Sequence, residues 1–294
     1  MSTLTVLSFG GGQDSTAILY RLIYDKSFRA RYAPGRLLIV TAETGNEHPE
    51  TYQHVDNVRK ICDARGIEFK HLDYTYTPAG WKGGLVNFYE RTSTVGSKAF
   101  PKTCTDKLKI QAIYNFLESW IHEQYKTEKV GRKAAIKEFA QKHGKINVLI
   151  GIAKGEEKRI CKNEDSHQTW MRIAVNKIFP LVELGMDREA CQKDIKAFGH
   201  EVPVPSNCLI CPFMSQQELL YLYRNYPEWY ARWVIIEQNK IDSNMHMGNN
   251  NLGVWGKKLL PEVLKEAEEK FGDWSIDQLA EYKMSHGHCT MSKY

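Results

Sequence analysis

No stretch of these 294 residues approaches the roughly 18 to 20 consecutive apolar positions that a membrane-spanning helix needs. The first residues, Met1-Ser2-Thr3-Leu4, have neither the basic nor the apolar region of a secretory leader. The cytoplasm is therefore the expected location, with no membrane partner. Excess charge of one sign is scarce too. The 40 Lys and Arg stand against 35 Asp and Glu, a net +5 that permits a polyanionic partner such as nucleic acid without establishing one. No internal repeat is present. Cysteines number seven (Cys62, Cys104, Cys161, Cys191, Cys208, Cys211 and Cys289), and in a cytosolic chain they point to metal or redox chemistry rather than disulfides. The 42% hydrophobic and 26% charged composition is that of an ordinary globular protein, either one large domain or a core with an appendage.

Two common phosphate loops are also missing. A Walker A loop needs Gly-Lys-Ser/Thr, and no lysine precedes Lys26; in the dinucleotide pattern, Ser15 stands where the third glycine should be. What is present is Ser8-Phe9-Gly10-Gly11-Gly12-Gln13-Asp14-Ser15-Thr16, between the apolar run Leu4–Leu7 and the helix-like spacing of Ala17–Ile23. A strand, a Gly-rich turn and a helix N-terminus make a nest of backbone N–H groups suited to phosphate. Ser8, Ser15 and Thr16 add hydroxyls, and Asp14 can cap the helix or help hold Mg²⁺. Asp14 and Ser15 are expected in an exposed loop.

Further along, residues 36–42 and 67–72 read as buried strands, with a helix ending at 63–66 between them, and 146–151 as another strand. Strands alternating with helices predict an α/β fold with a parallel sheet covered by helices on both faces. Ligands in such sheets bind at the carboxyl ends of the strands. Residues 74–102 lack periodicity and read as a long loop, 105–125 as a helix, and the charged span 126–145 as a solvated helix. Residues 155–170 are polar, as in a lid. Residues 172–181 read as a strand, and 187–198 as a capped helix followed by Gly199. Beyond about 200 the chain turns to aromatic-rich helices, which predicts a core of residues 1–200 and a helical C-terminal subdomain of residues 201–294 containing a Cys-x-x-Cys pair.

The glycine stretch resembles the PP-loop of the ATP pyrophosphatases, which grip the β,γ-pyrophosphate of ATP while a substrate oxygen attacks the α-phosphorus. A second segment, Glu43-Thr44-Gly45 followed by Pro49-Glu50-Thr51, resembles one in phosphoadenosine phosphosulfate (PAPS) reductases and their relatives. The likeness implies an adenine nucleotide alpha hydrolase-like fold with adenine against Val40 and Thr41. It also implies nucleotide contacts from Ser8, Gly10, Gly11, Gly12, Asp14, Ser15, Thr16, Thr41 and Glu43. On the residues alone, Pro49 and Glu50 also suit a well-capped helix with no ligand role. The third segment, Gly151-Ile152-Ala153-Lys154-Gly155-Glu156-Glu157-Lys158-Arg159, is similar to a Gly-Ile-Arg…Glu…Arg motif of the same relatives, with Ala153 where Arg is common. It offers Lys154 and Arg159, beside Asp14, as catalytic groups, since a cation at the leaving pyrophosphate stabilises developing charge.

The fourth segment is Cys208-Leu209-Ile210-Cys211, whose two thiols are spaced to share one metal or cluster. Cys104, in a Cys-Thr-x-x-x-Lys-Ile segment resembling those relatives, and Cys191 complete a set of four, for a [4Fe–4S] cluster or alternatively Zn²⁺; ordinary reduced cysteines are the third option. Cys161 is the reserve, and Cys62 and Cys289 look incidental. The mobile Glu-Cys-Gly-[Ile/Leu]-His tail of true PAPS reductases is absent. The resemblance spans residues 4 to 215. It implies ATP cleavage to AMP and pyrophosphate that adenylates an acceptor, followed by sulfur transfer from a partner cysteine desulfurase. The metal centre, the mild basic charge and the missing tail favour DNA as the acceptor, in phosphorothioate modification, with tRNA, in thiolation, as an alternative. The alternatives are a reductase or sulfotransferase acting on PAPS and a nucleotide-binding regulatory subunit without turnover.

Overall fold

In a computed structural model that describes residues 4–161 and 168–287, five parallel strands lie in the order β3-β2-β1-β4-β5. They are β1 (Leu4–Ser8), β2 (Arg36–Ala42), β3 (Glu68–Leu72), β4 (Ile146–Ile150) and β5 (Val175–Ile178). The three central strands are near-continuous apolar runs because both of their faces are covered. The alternation of side chains decides which face each residue serves. Leu4, Val6, Leu38, Val40, Val148 and Ile150 pack beneath α5 (Gln111–Tyr125), α6 (Ala134–His143) and α7 (Thr169–Ala174). Leu7, Leu37, Ile39 and Leu149 turn the other way. They meet α1 (Gln13–Tyr24), α2 (Lys26–Tyr32), α3 (Pro49–Asp63), α8 (Pro180–Glu183) and α9 (Arg188–Ala197). The edge strands β3 and β5 carry Glu68, Lys70, Asn176 and Lys177, which suits strands open on one side.

A third core gathers Leu85, Val86 and Tyr89 of α4 (Gly84–Thr92), Leu108, and the loop residues Leu209, Ile210 and Cys211. Around them stand α10 (Gln216–Asn225), α11 (Pro227–Ser243), α12 (Leu260–Phe271) and α13 (Ile276–His286). Trp233 is fully buried at its centre. The buried Glu237 carboxylate accepts the N–H groups of Val254 and Leu260, both at 2.7 Å, which fixes the entry to α12. Ser215 and Ser275 open α10 and α13 with capping boxes.

Several sequence expectations need correction. Residues 74–102 are not one loop: 3₁₀ turns at Tyr74–Tyr76 and Ala79–Trp81 lead into α4, started by Gly83 and Gly84, both at positive φ. The helix expected over 105–125 opens with a π-helical turn, Thr105–Ile110, before α5. The helix within 126–145 is not solvated all round, since Ala135, Ile136 and Phe139 are buried and Glu118 from α5 caps its first turn. Residues 172–181 split into the end of α7, β5 and the start of α8, because Pro180 begins a helix rather than ending a strand. Of the expected lid, residues 162–167 lie outside the described residues, as does Cys289.

Candidate active site

Strand β1 is the switch point of the sheet. The chain moves outward through β2 and β3 on one side and returns through β4 and β5 on the other. Crevices form at the carboxyl ends of strands at such points. The Phe9 N–H still bonds the Val40 carbonyl at 2.8 Å, and the backbone leaves the sheet at Gly10. Gly11 takes φ +71°, and a Cβ there would lie 3.1 Å from both Thr51 and Val55. Gly12 runs so close to Ser206 that a Cβ would lie 2.7 Å from its Oγ. The Ser15 hydroxyl braces the turn by accepting from the Gly10 N–H at 3.3 Å and donating to the Gly12 carbonyl at 3.1 Å. No side chain caps α1, so its first-turn N–H groups face the cleft with the positive end of the helix dipole.

The cleft is lined by Ser8, Gly10, Gly12, Asp14, Ser15, Gly151, Arg159 and Ser206, together with Lys109 and Arg188. Asp14 and Ser15 are not in an exposed loop. They form the first turn of α1 and are 9% and 6% exposed. Burial raises the Asp14 carboxyl to about 6, against the opposing pull of Arg188, while Glu156 adds to the rise. Its Oδ1 is buried without a hydrogen-bond partner, and so is Nε of Arg188, 3.7 Å away. Glu156 holds two guanidiniums, its Oε1 that of Arg188 and its Oε2 that of Arg159.

A second lobe, reached past Gly10, Ala42 and Lys109, is lined by Thr41, Glu43, Glu47, Tyr52 and His71. Glu43 accepts from Tyr52 Oη at 2.7 Å and from the Gly45 N–H, so it holds the turn that follows β2. Thr16 and Gly11 lie elsewhere: the Thr16 hydroxyl bonds His54 Nε2 at 2.9 Å, and Gly11 faces α3. Lys154 is exposed and does not line the cleft. Its N–H bonds the Met186 carbonyl at 2.8 Å, and the buried Ala153 beside it turns the lysine outward.

Cys208 adjoins the second lobe. Its thiol donates to Thr44 Oγ1 at 3.7 Å, Thr44 donates to Glu47 Oε1 at 3.1 Å, and Lys109 pairs with the same oxygen at 2.8 Å. Burial pushes the Cys208 thiol well above its usual range. Glu47 adds to that rise and Lys109 opposes it. Cys104, Cys208 and Cys211 all border the buried Tyr89 and raise its hydroxyl, after burial itself. Cys191 is not with them. It is fully buried in the second core, on α9 against α1, and its thiol is raised by burial and next by Asp14. The expected four-cysteine set is therefore not assembled. Among the described residues no group of three or more His, Cys, Asp or Glu side chains is arranged to hold a metal ion, and the thiols that lie together around Tyr89 are Cys104, Cys208 and Cys211. Mg²⁺ is a different case, because the partnerless Asp14 Oδ1 is a hard oxygen donor beside the glycine turn.

Sequence reasoning did not pick out Lys109, Arg188 or Ser206 as cleft residues. The signal for Arg188 was weak, a basic residue directly after the helix-capping Asp187.

No protein-family model matches the chain, and no curated protein matches it. A solved structure that it resembles is the U34-tRNA thiolase NcsA from Methanococcus maripaludis with its [4Fe-4S] cluster, at 13% identity and a TM-score of 0.40, over 94% of this chain and 75% of that one. At that score the likeness carries no argument about chemistry. No described helix is long and apolar enough to cross a membrane.

Proposed function

We propose that this chain is an ATP pyrophosphatase that adenylates an acceptor for sulfur transfer. The observation that carries the reading is the buried carboxylate oxygen of Asp14, without a hydrogen-bond partner, in the first turn of an uncapped helix, with the guanidiniums of Arg188 and Arg159 near it. In this reading, backbone N–H groups of residues 12–15 and the Ser15 hydroxyl hold the β,γ-phosphates. Thr41 and Ala42 line the lobe that takes the adenosine end. Asp14 would hold Mg²⁺, which offsets phosphate charge when bound. An acceptor oxygen attacks the α-phosphorus, the bond to the β-phosphate oxygen breaks, and Arg159 stabilises the pyrophosphate that leaves.

Sulfur chemistry is supported by three thiols grouped next to the second lobe, with Lys109 and Glu47 lying between Cys208 and the phosphate end. The outer sulfur of a persulfide supplied by a cysteine desulfurase would then attack the adenylated centre and displace AMP. A thiol of this group would release the thiolated acceptor by attacking the inner sulfur, leaving a disulfide for an external thiol to reduce. A nucleic-acid acceptor is supported by residues 82–109, whose six basic residues (Lys82, Arg91, Lys98, Lys102, Lys107, Lys109) outnumber two acidic ones (Glu90, Asp106). The test is pyrophosphate release from ATP and Mg²⁺, alone, with duplex DNA and with tRNA. Release stimulated by one of these identifies the acceptor class, and Asp14→Ala or Ser15→Ala should lower it by roughly 10² to 10³. Full activity in both variants would remove the assignment.

A further inference from the structure

We propose that Arg188, at the start of α9, is a catalytic residue that receives the departing pyrophosphate, and that Glu156 is the residue positioning it. This rests on the reading of the cleft as an ATP pyrophosphatase site. Arg188 lies 29 positions beyond Arg159 and reaches the same cleft because α9 packs against α1. Its helix is started by Asp187, whose carboxylate accepts the Ala190 N–H at 2.9 Å, and this sets the guanidinium at the cleft edge. Glu156 takes one end of the Arg188 fork on Oε1 and Arg159 on Oε2, so a single carboxylate orients both cations.

The Nε–H of Arg188 has no hydrogen-bond acceptor. Asp14 Oδ1 faces it at 3.7 Å, close enough to attract and too far for a hydrogen bond. Both residues line the cleft, so a phosphate oxygen that enters beside them would accept from the Arg188 guanidinium, while Asp14 would hold the metal that accompanies it. The local charge supports a role in the transition state. Two guanidiniums and the carboxylates of Glu156 and Asp14 sum to zero, and across the cleft Lys109 is paired with Glu47. Ground-state attraction for ATP from this group is therefore small. The Arg188 contact gains strength as negative charge builds on the leaving oxygen, which raises kcat more than it lowers KM.

The test measures steady-state pyrophosphate release and, separately, calorimetric binding of inorganic pyrophosphate with Mg²⁺. Arg188→Ala should lower kcat by roughly 10² to 10³ while changing KM by less than about threefold, and should weaken pyrophosphate binding at least about tenfold. Arg188→Lys should recover only part of the loss, because a point ammonium lacks the planar fork that spans Glu156 and the phosphate. Glu156→Gln should lower kcat less, and added Arg188→Ala should then cost less than it does alone, since the pair acts as a unit. Lys193→Ala, on the exposed side of α9, should leave both readouts unchanged. Thermal midpoints of all variants identify any that misfold, and Arg188→Gln replaces Arg188→Ala in that event. Arg188→Ala with kcat and pyrophosphate affinity within about twofold of the parent would overturn the proposal, as would a change confined to KM. If the parent protein releases no pyrophosphate from ATP, the reading of the cleft fails. The inorganic pyrophosphate titration then still decides whether Arg188 holds that anion.

Discussion

Asp14 should make the ligand-free protein less stable than its neutral isostere. Its carboxyl is raised from 3.8 to about 6, chiefly by burial. Below about pH 3.8 it is protonated in the folded and unfolded chains alike and carries no penalty. Between about 4 and 6 the unfolded chain ionises while the folded site resists, so the folded state binds more protons and stability falls as pH rises. Above about 6 the penalty is constant, and two pKa units at 1.36 kcal/mol each put it at about 3 kcal/mol. Asp14→Asn removes the charge but leaves an amide that must find its own partners, which trims the gain to roughly 1–3 kcal/mol. The assay is urea unfolding of both proteins in EDTA from pH 4 to pH 8, and the readout is the difference between them, which cancels every other titrating group. That difference should be near zero at pH 4, grow through pH 6 and then level off, while pyrophosphate release is lost. A difference that stays flat across the range would show that Arg188 and Arg159 already compensate the buried charge, and the account of a carboxylate awaiting a cation would be wrong.

Gly151→Ala should destabilise the protein by about 1–3 kcal/mol and impair pyrophosphate binding. A Cβ there would lie 2.8 Å from the Ser15 nitrogen and 3.1 Å from the Asp14 carbonyl carbon, backbone atoms that cannot swing away. Gly80→Ala, with open space around it, is the control, and equal urea midpoints for the two variants would contradict the packing. Cys191→Ser should cost about 1–3 kcal/mol by placing a hydroxyl in the second core, and it should leave the iron and zinc content of anaerobically purified protein unchanged. Metal lost with Cys191→Ser would show that α9 rearranges to bring this thiol to the others.

The sheet was legible because its central strands, Leu4–Ser8, Arg36–Ala42 and Ile146–Ile150, are apolar on both faces and so read as runs. The glycine turn was legible because the positive φ at Gly11 is a local need, whereas the close approach of Gly12 to Ser206 is not. Helix α4 escaped notice because it is short and starts on two glycines, and its apolar residues find their core in Ile210 and the C-terminal helices. Arg159 and Lys154 were indistinguishable as neighbouring cations, and only the turn that buries Ala153 separates them. Cys191 was grouped with Cys104, yet α9 buries it in the second core, while the other thiols belong to the third. Arg188 offered only its place after the capping Asp187, since its position in the cleft depends on how α9 docks on α1.

What joins the phosphate end of the cleft to the thiols is a single strap of chain, residues 203–211. Ser206 lies against Gly10 and Gly12. Asn207 accepts from the buried Lys283 ammonium at 2.6 Å and donates to Glu218 Oε1 at 3.1 Å. Cys208 pairs with Glu47, and the N–H groups of Leu209 and Ile210 bond the backbone and side chain of Asn46 at 2.8 and 2.9 Å. The Gln13 amide, inside the glycine turn, donates to the carbonyls of Pro203 and Met284. Helix α13 thus fastens the turn through Met284 and the strap through Lys283. Burial lowers the Lys283 ammonium to about 8, and the nearby Glu218 and Glu50 oppose that shift. A loop held by its own residues alone would let the two ends drift, and an ångström of drift is enough to lose a large factor in a reaction between positioned groups. Here both ends are set by contacts spanning more than 150 positions of sequence. The C-terminal helices are therefore part of the site's geometry, although none of their residues lines the cleft.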